Sequence, residues 1–332
     1  MPFKKKTLLI TGGTGSFGNA VLNRFLDTDI EEIRIFSRDE KKQDDMRKRY
    51  ANPKLKFYIG DVRDYHRLKM AMAGVEIVIH TAALKQVPAA EYNPFEAVKT
   101  NILGSQNVIE ACSENNVERA ICIGTDKAVS PLNTYGATKL LMEKLFVNAQ
   151  QYSNPKIHPT KFLAVRYGNV FASSGSVIPR FIEQIKRHEN VTITDMEMTR
   201  FSITMEQALD FILKATEIGK GTEIFIPKLK SYSLEQIKHV LSELTEMKGE
   251  KIIGVRPGEK LHELLINSDE MRYAWEYENL YMILNWQFDH AYLNKNYSGI
   301  KKFDNGGIYS SNNTERLTND ELKNNIVNLE LL

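Results

Sequence analysis

Short apolar runs alternate with stretches of helical periodicity through the first half of the chain. "TLLIT", "IRIF", "LKFYIG", "IVIHTA" and "AICIG" read as strands. Strands that are apolar on both sides belong to a parallel sheet covered by helices on both faces. Phe17–Leu26, Asp64–Ala73 and Phe95–Asn115, which separate these runs, carry apolar residues at helical spacing. The repetition predicts a doubly wound (Rossmann) α/β sheet. After about residue 170 the alternation loosens. "VIPRFIEQIKRH" and "MEQALDFILKATE" read as helices, "EIFIPK" as a strand, and "SLEQIKHVLSEL" as a helix with a Ser N-cap. From about Tyr292 the chain is rich in Asn, Lys and Asp, which predicts a loosely packed tail with one short helix, Asn319–Val327. The expected division is a Rossmann domain over residues 1–170 and a smaller lobe with the tail over 171–332. A strand near 222–228 interleaves the two.

Composition narrows the class rather than the chemistry. The 332 residues are 42% hydrophobic and 26% charged, enough to bury a large core without disulfides or metal. With 44 basic against 42 acidic residues, charge gives no reason to expect nucleic acid or a membrane surface. Cys112 and Cys122 have no neighbours at metal-ligand spacing and read as buried small hydrophobes, so no metal is expected. The apolar run after "MPFKKK" is too short for a signal peptide or an anchor. A cytoplasmic protein without an integral membrane segment is expected.

"LLITGGTGSFGNAVLNRFL" places Gly12, Gly15 and Gly18 between a strand and a helix. Such a turn lets a pyrophosphate approach backbone amides at a helix N-terminus. Gly12, Gly13, Thr14, Gly15, Ser16, Phe17 and Gly18 are therefore candidate cofactor contacts. The second strand ends in "SRDEKK", where Ser37, Arg38, Lys41 and Lys42 suit a 2′-phosphate and favour NADP. Asp39 argues the other way. Asp61 in "GDVRD" is a candidate acceptor for the adenine amino group, with Val62 against the ring, while Asp64 suits an N-cap. Thr81, Ala82 and Ala83 would line the cofactor, and Lys85 would point into the cleft.

Tyr135 and Lys139 lie four apart on a predicted helix and share a face. A lysine near a phenol favours its anion, so such a tyrosine can take a proton from a sugar hydroxyl as hydride leaves for nicotinamide. Eight residues earlier stands a second charged pair, Asp126-Lys127. The glycine loop with Tyr135 and Lys139 resembles the extended short-chain dehydrogenase/reductase superfamily. Within it, "SRDEKKQDDM", "AALKQVPAAEYNPFEAVKTNI", "TDKAVSPLNTYGATK", "VRYGNV", "MTRFSIT" and "RPGEKLHE" resemble the inverting UDP-N-acetylglucosamine 4,6-dehydratases. A weaker match, "YSSNN", lies near the tail.

The resemblance implies NADP as a regenerated cofactor, UDP-N-acetylglucosamine as the substrate and a homo-oligomer. It implies oxidation at C4 by Tyr135 and Lys139, with Asp126 as general acid at C6 and Lys127 as base at C5. A lysine base needs its pKa lowered, and Asp126 beside it opposes that. The product would be UDP-2-acetamido-2,6-dideoxy-β-L-arabino-hexos-4-ulose, on the way to a pseudaminic-acid-type or other surface sugar. It places Val170 at the cofactor, and Lys85, Gly124, Thr125 and Asn169 at the sugar. Arg180, Arg200 and Arg256 would meet the diphosphate, and Thr194 and Glu259 the uracil or ribose. A serine is expected where this chain has Gly124. The competing expectations are a UDP-sugar 4-epimerase, which needs no Asp-Lys pair, and a non-catalytic NADP sensor.

Overall fold

The computed structural model describes residues 3–152, 154, 156–171, 176–288, 290–304 and 306–328. Six strands form the parallel heart: β1 (Thr7–Thr11), β2 (Glu32–Ser37), β3 (Leu55–Ile59), β4 (Ile77–His80), β5 (Arg119–Ile123) and β6 (Lys161–Val165). Their order is β3-β2-β1-β4-β5-β6, so the chain reverses direction between β1 and β4. That reversal opens a crevice at the carboxyl ends of the strands. β1 and β4 are buried along their whole length, as their unbroken apolar runs require. Leu8 and Ile10 face one helical layer with Ile33 and Ile35, and Leu9 and Val78 face the other with Cys122. The expected Rossmann architecture is present.

The helices over Ser16–Phe25 and Tyr65–Ala71 stand where their periodicity placed them. The expected helix Phe95–Asn115 is composite. A short turn, Pro94–Ala97, runs into a π-helical stretch, Val98–Leu103, and then the regular helix Gly104–Glu114. Both cysteines are fully buried, and burial pushes their thiols up.

The second half adds β7 (Asn169–Val170), β8 (Val191–Ile193), β9 (Thr199–Ile203), β10 (Ile224–Pro227), β11 (Ser231–Ser233), β12 (Glu250–Ile252) and β13 (Leu264–Ile266). β14 (Ala274–Tyr277), β15 (Leu280–Ile283), β16 (Lys301–Lys302) and β17 (Tyr309–Ser310) follow. β10 joins the main sheet parallel to β6, as "EIFIPK" suggested. β15, β14 and β16 then extend it antiparallel, giving ten strands among the described residues. A separate apolar core, with Phe181, Ile237, Leu241, Leu322 and Ile326, fills the smaller lobe.

The tail departs from expectation, because it is packed rather than loose. Tyr297 is fully buried and donates to the buried Glu223, which also accepts from the amides of Lys220 and Gly221. Phe303 stacks on Tyr281, and the helix Asn319–Val327 buries Leu322 and Ile326. A few aromatic and aliphatic anchors, too sparse to register in the polar composition, hold it. Among the described residues, no helix is long and apolar enough to cross a membrane and no metal-binding cluster occurs.

Candidate active site

A cleft of about 1740 Å³ opens where the chain leaves the carboxyl ends of β1 to β6. A drug-sized ligand fills roughly 300–1,000 Å³, so this space suits a dinucleotide together with a second ligand. Most of the residues singled out in the sequence line it, from Gly12, Gly15 and Phe17 to Arg256 and Glu259. Gly13, Gly18, Lys41 and Asp126 are not among the lining residues.

The glycine loop has the geometry of an anion cradle. Gly12 has φ +67°, and a Cβ there would press on the Ala82 backbone at 3.0 Å. Gly15 precedes the helix Ser16–Phe25 with no side-chain cap, leaving the first-turn amides for a ligand. Gly18 serves packing instead, since its Cβ would fall on the Gly13 carbonyl. Thr14, Ser16, Thr81, Ala82 and Ala83 complete the walls. The Thr81 hydroxyl is already committed to the Thr11 carbonyl at 2.6 Å.

At the end of β2, Asp39 caps the following helix by accepting from the Lys42 amide at 2.9 Å. That hydrogen bond holds its carboxyl below the usual range. Ser37, Arg38 and Lys42 line the cleft, whereas Lys41 pairs with Asp45 on the outer side of its helix. Asp64 takes the N-cap role expected of it. Asp61 lines the cleft with Val62, but its carboxylate is held by Arg63 at 2.7 Å and lies 3.5 Å from Arg38. Burial raises its pKa, and the Arg63 contacts outweigh this and lower it.

Beyond β5 the chain passes Gly124 and turns through a short 3-10 segment, Asp126–Ala128. Thr125 Oγ1 donates to Asp126 Oδ1 at 2.9 Å, and Lys127 Nζ donates to the same oxygen at 3.0 Å. Lys127 also donates to Asn169 Oδ1 at 3.1 Å and lies 3.7 Å from Glu263. Burial alone would lower the Lys127 pKa, yet the Asp126 and Glu263 carboxylates outweigh it and raise it well above the usual value. The side chain is therefore an ammonium here, opposite to the state a base requires. Asp126 is fully buried behind Thr125 and Lys127, with Oδ2 unpartnered. It reaches the cleft through those two neighbours.

Tyr135 and Lys139 share a face of the long helix Thr134–Tyr152, and both line the cleft. Lys139 Nζ donates to the Ile123 carbonyl at 2.6 Å, and burial lowers its pKa to about 8. Burial pushes the Tyr135 phenol up to about 12, against the pull of the Lys127 ammonium. The lowered phenol expected from the sequence is thus not found. Burial outweighs the cation that favours its anion, which is Lys127.

In the smaller lobe Val170, Arg180, Thr194, Arg200, Arg256 and Glu259 line the cleft, as does Lys85 across from them. Arg200 donates to the carbonyls of Thr199 and Leu261, and Arg256 pairs loosely with Glu259 at 3.6 Å. Asn169, expected at the sugar, lines the cleft and accepts from Lys127. Just before the "VIPRF" helix, Ser173, Ser174 and Gly175 lie outside the described residues.

Three features escaped the sequence reading. Asn101, in the π-helical stretch, bonds both backbone groups of Leu84 and the Thr138 hydroxyl, tying the β4 loop to the Tyr135 helix. Arg166 is fully buried between Glu143 and Glu270. Glu263 stands under Lys127. Asn101, Arg166 and Glu263 all sit inside quoted motifs, but nothing in spacing or hydrophobicity marks them as partners of distant residues.

Residues 8–285 match the polysaccharide biosynthesis protein family. A UDP-glucose 4-epimerase of Rickettsia bellii is 48% identical over 99% of this chain and 97% of its own length. The X-ray structure of Pen from Bacillus thuringiensis is 38% identical, superposes with a TM-score of 0.90 and covers all of both chains. DesIV of Streptomyces venezuelae, a dTDP-glucose 4,6-dehydratase solved with NAD, shares only the fold, at 16% identity and TM-score 0.69 over 97% of this chain and 96% of that one. The architecture is the Rossmann-like fold that these structures share. The chain belongs to the polysaccharide biosynthesis protein family.

Proposed function

We propose that this protein is a UDP-N-acetylglucosamine 4,6-dehydratase, inverting at C5 and acting with NADP in the cytoplasm. The observation that carries it is the hydrogen-bonded Asp126–Lys127 pair, whose lysine lines one cleft with Thr125 and Tyr135. An enzyme that only oxidises and reduces C4 has no use for such a pair. Elimination needs both an acid and a base.

The 3.0 Å contact offers a way to produce them together. Transfer of the Lys127 proton to Asp126 Oδ1 gives a neutral amine and a carboxylic acid in one step. The amine takes the C5 proton. The acid passes its proton through the Thr125 hydroxyl, 2.9 Å away, to the departing C6 hydroxyl, which leaves as water. Tyr135 receives the 4-hydroxyl proton. The dinucleotide, when bound, would supply the acceptor for the C4 hydride and then the source of that hydride at C6, as C5 regains a proton, so that no net redox change results. It would be held against the Gly12–Ser16 turn by the first-turn amides of the uncapped helix, where Gly12 leaves room for a pyrophosphate. Ser37, Arg38 and Lys42 favour a 2′-phosphate, because the Asp39 carboxylate is occupied as a cap.

Two experiments test this. Lys127→Ala should abolish water loss from UDP-N-acetylglucosamine while C4 oxidation, read as reduced-cofactor absorbance, persists; full dehydratase activity in the variant refutes the base assignment. Equilibrium titration should show NADP binding about tenfold or more tighter than NAD, the equivalent of roughly 1.4 kcal/mol. Equal affinities, or tighter NAD, refute the 2′-phosphate assignment.

A second reading, UDP-sugar 4-epimerase, is favoured by the name of the Rickettsia bellii relative. The ammonium state of Lys127 also suits it, since C4 epimerisation asks for Tyr135 and Lys139 but for no neutral Lys127.

A further inference from the structure

Glu263 ends the quoted stretch "RPGEKLHE" and is not accounted for by the chemistry above. Its side chain is only 5% exposed, yet it makes no cap and bonds no backbone amide of its own turn. Oε1 lies 3.7 Å from Lys127 Nζ and 3.8 Å from Arg200 Nε, while Oε2 is buried without a partner. A buried carboxylate so poorly satisfied is costly unless charges nearby compensate. The backbone around it is nonetheless fixed. The Glu263 amide donates to Ser311 Oγ, and its carbonyl accepts from the Ser311 amide, both at 2.9 Å. Ser311 Oγ also shares a 2.7 Å bond with Thr199 Oγ1 on β9. The "YSSNN" motif of the tail thus presents Glu263 to the cleft.

We infer that Glu263 is a positioning residue for the acid–base pair, standing between Lys127 and Arg200 in an open ring of alternating charge that begins at Asp126. Two carboxylates and the Asn169 carbonyl fix the Lys127 head group from three directions. Glu263 also sets how tightly Lys127 holds its proton. The titratable and charged groups around the ring are Asp126 and Lys127 on the 3-10 turn, Arg200 on β9, and Tyr135 on the long helix. Tyr232 on β11, and Lys260 and His262 on the Glu263 segment itself, complete the set. Only Asp126 and Glu263 draw the Lys127 charge strongly; Arg200 opposes it. Without the Glu263 charge, Lys127 keeps Asp126 as its one carboxylate partner and gives up its proton more readily.

The catalytic consequence rests on the dehydratase reading, but the ring itself is tested without substrate. The intact protein is treated with a trace of acetic anhydride near pH 9, and labelling at each lysine is read by peptide mass spectrometry. Lys127 is 27% exposed, so the reagent can reach it; the exposed Lys41 serves as the reference and the buried Lys139 reports unfolding. In Glu263→Gln, Lys127 should label about tenfold faster or more, since the free-amine fraction changes tenfold per unit of pKa. Glu263→Asp, which keeps the charge, should stay closer to the native rate. Unchanged Lys127 labelling in a folded Glu263→Gln protein overturns the inference. Should Lys139 also become reactive there, Ser311→Ala is read in the same way, because releasing the Glu263 backbone must raise Lys127 labelling too; no rise overturns the inference. In a water-loss assay, the limb that rises with pH should move about one unit lower in Glu263→Gln. A protein that labels as expected but loses no water from the sugar keeps the ring and refutes the dehydratase reading.

Discussion

Gly124 is the position where this chain parts from the pattern it resembles, and space explains it. A Cβ there would lie 2.2 Å from Glu143 Oε1 and 2.7 Å from the Val165 carbonyl. Glu143 cannot retreat, because it is fully buried and bound to Arg166, which in turn holds Glu270 and the Leu265 carbonyl. The glycine therefore accommodates a buried charge network rather than marking a lost substrate contact. Gly124→Ser should lower stability by about 1–3 kcal/mol, the usual cost of overpacking, measured by urea unfolding. A variant as stable as the parent contradicts this. At this scale the sequence displayed much of the site. The adjacency of Asp126 and Lys127 and the spacing of Tyr135 and Lys139 were legible directly. Which way adjacent side chains turn was not. The 3-10 turn sends Asp126 inward and Lys127 toward the cleft, and no periodicity reports that.

At the scale of elements, the loop ends are joined by a buried polar chain. Thr11 Oγ1 meets His80 Nδ1 at 2.7 Å, His80 Nε2 meets Ser105 Oγ at 2.9 Å, and Ser105 donates to the Asn101 carbonyl. It ties β1 and β4 to the π-helical stretch that also touches the Tyr135 helix. The strands were legible from their apolar runs, but this cross-link was not, because its members are scattered single polar residues. Burial lowers the His80 pKa from 6.5 to about 3, so the folded protein keeps it neutral. The unfolded chain binds a proton below 6.5 that the folded chain refuses. Its contribution is therefore complete above 6.5 and declines as pH falls toward 3, by about 1.4 kcal/mol per pH unit well inside that window. His80→Asn lacks this titration. Its stability deficit relative to the parent should narrow between about pH 7 and about pH 4.5 in urea unfolding, and a constant deficit contradicts the assignment.

For the whole molecule, the doubly wound half was visible in the alternation of strand and helix, while the tail was hidden by its polar composition. The tail carries β16 into the main sheet, packs a helix into the smaller lobe and braces Glu263 through Ser311. The cleft is consequently built by segments from nearly the whole length of the chain, from Gly12 to Glu263. Its charged pair separates the two readings of the reaction. Mass spectrometry of the purified protein incubated with UDP-N-acetylglucosamine tests this most directly. The account predicts a nucleotide sugar lighter by one water, with a 4-keto group and no net change in NADPH. A product of unchanged mass, identified as UDP-N-acetylgalactosamine, would contradict it.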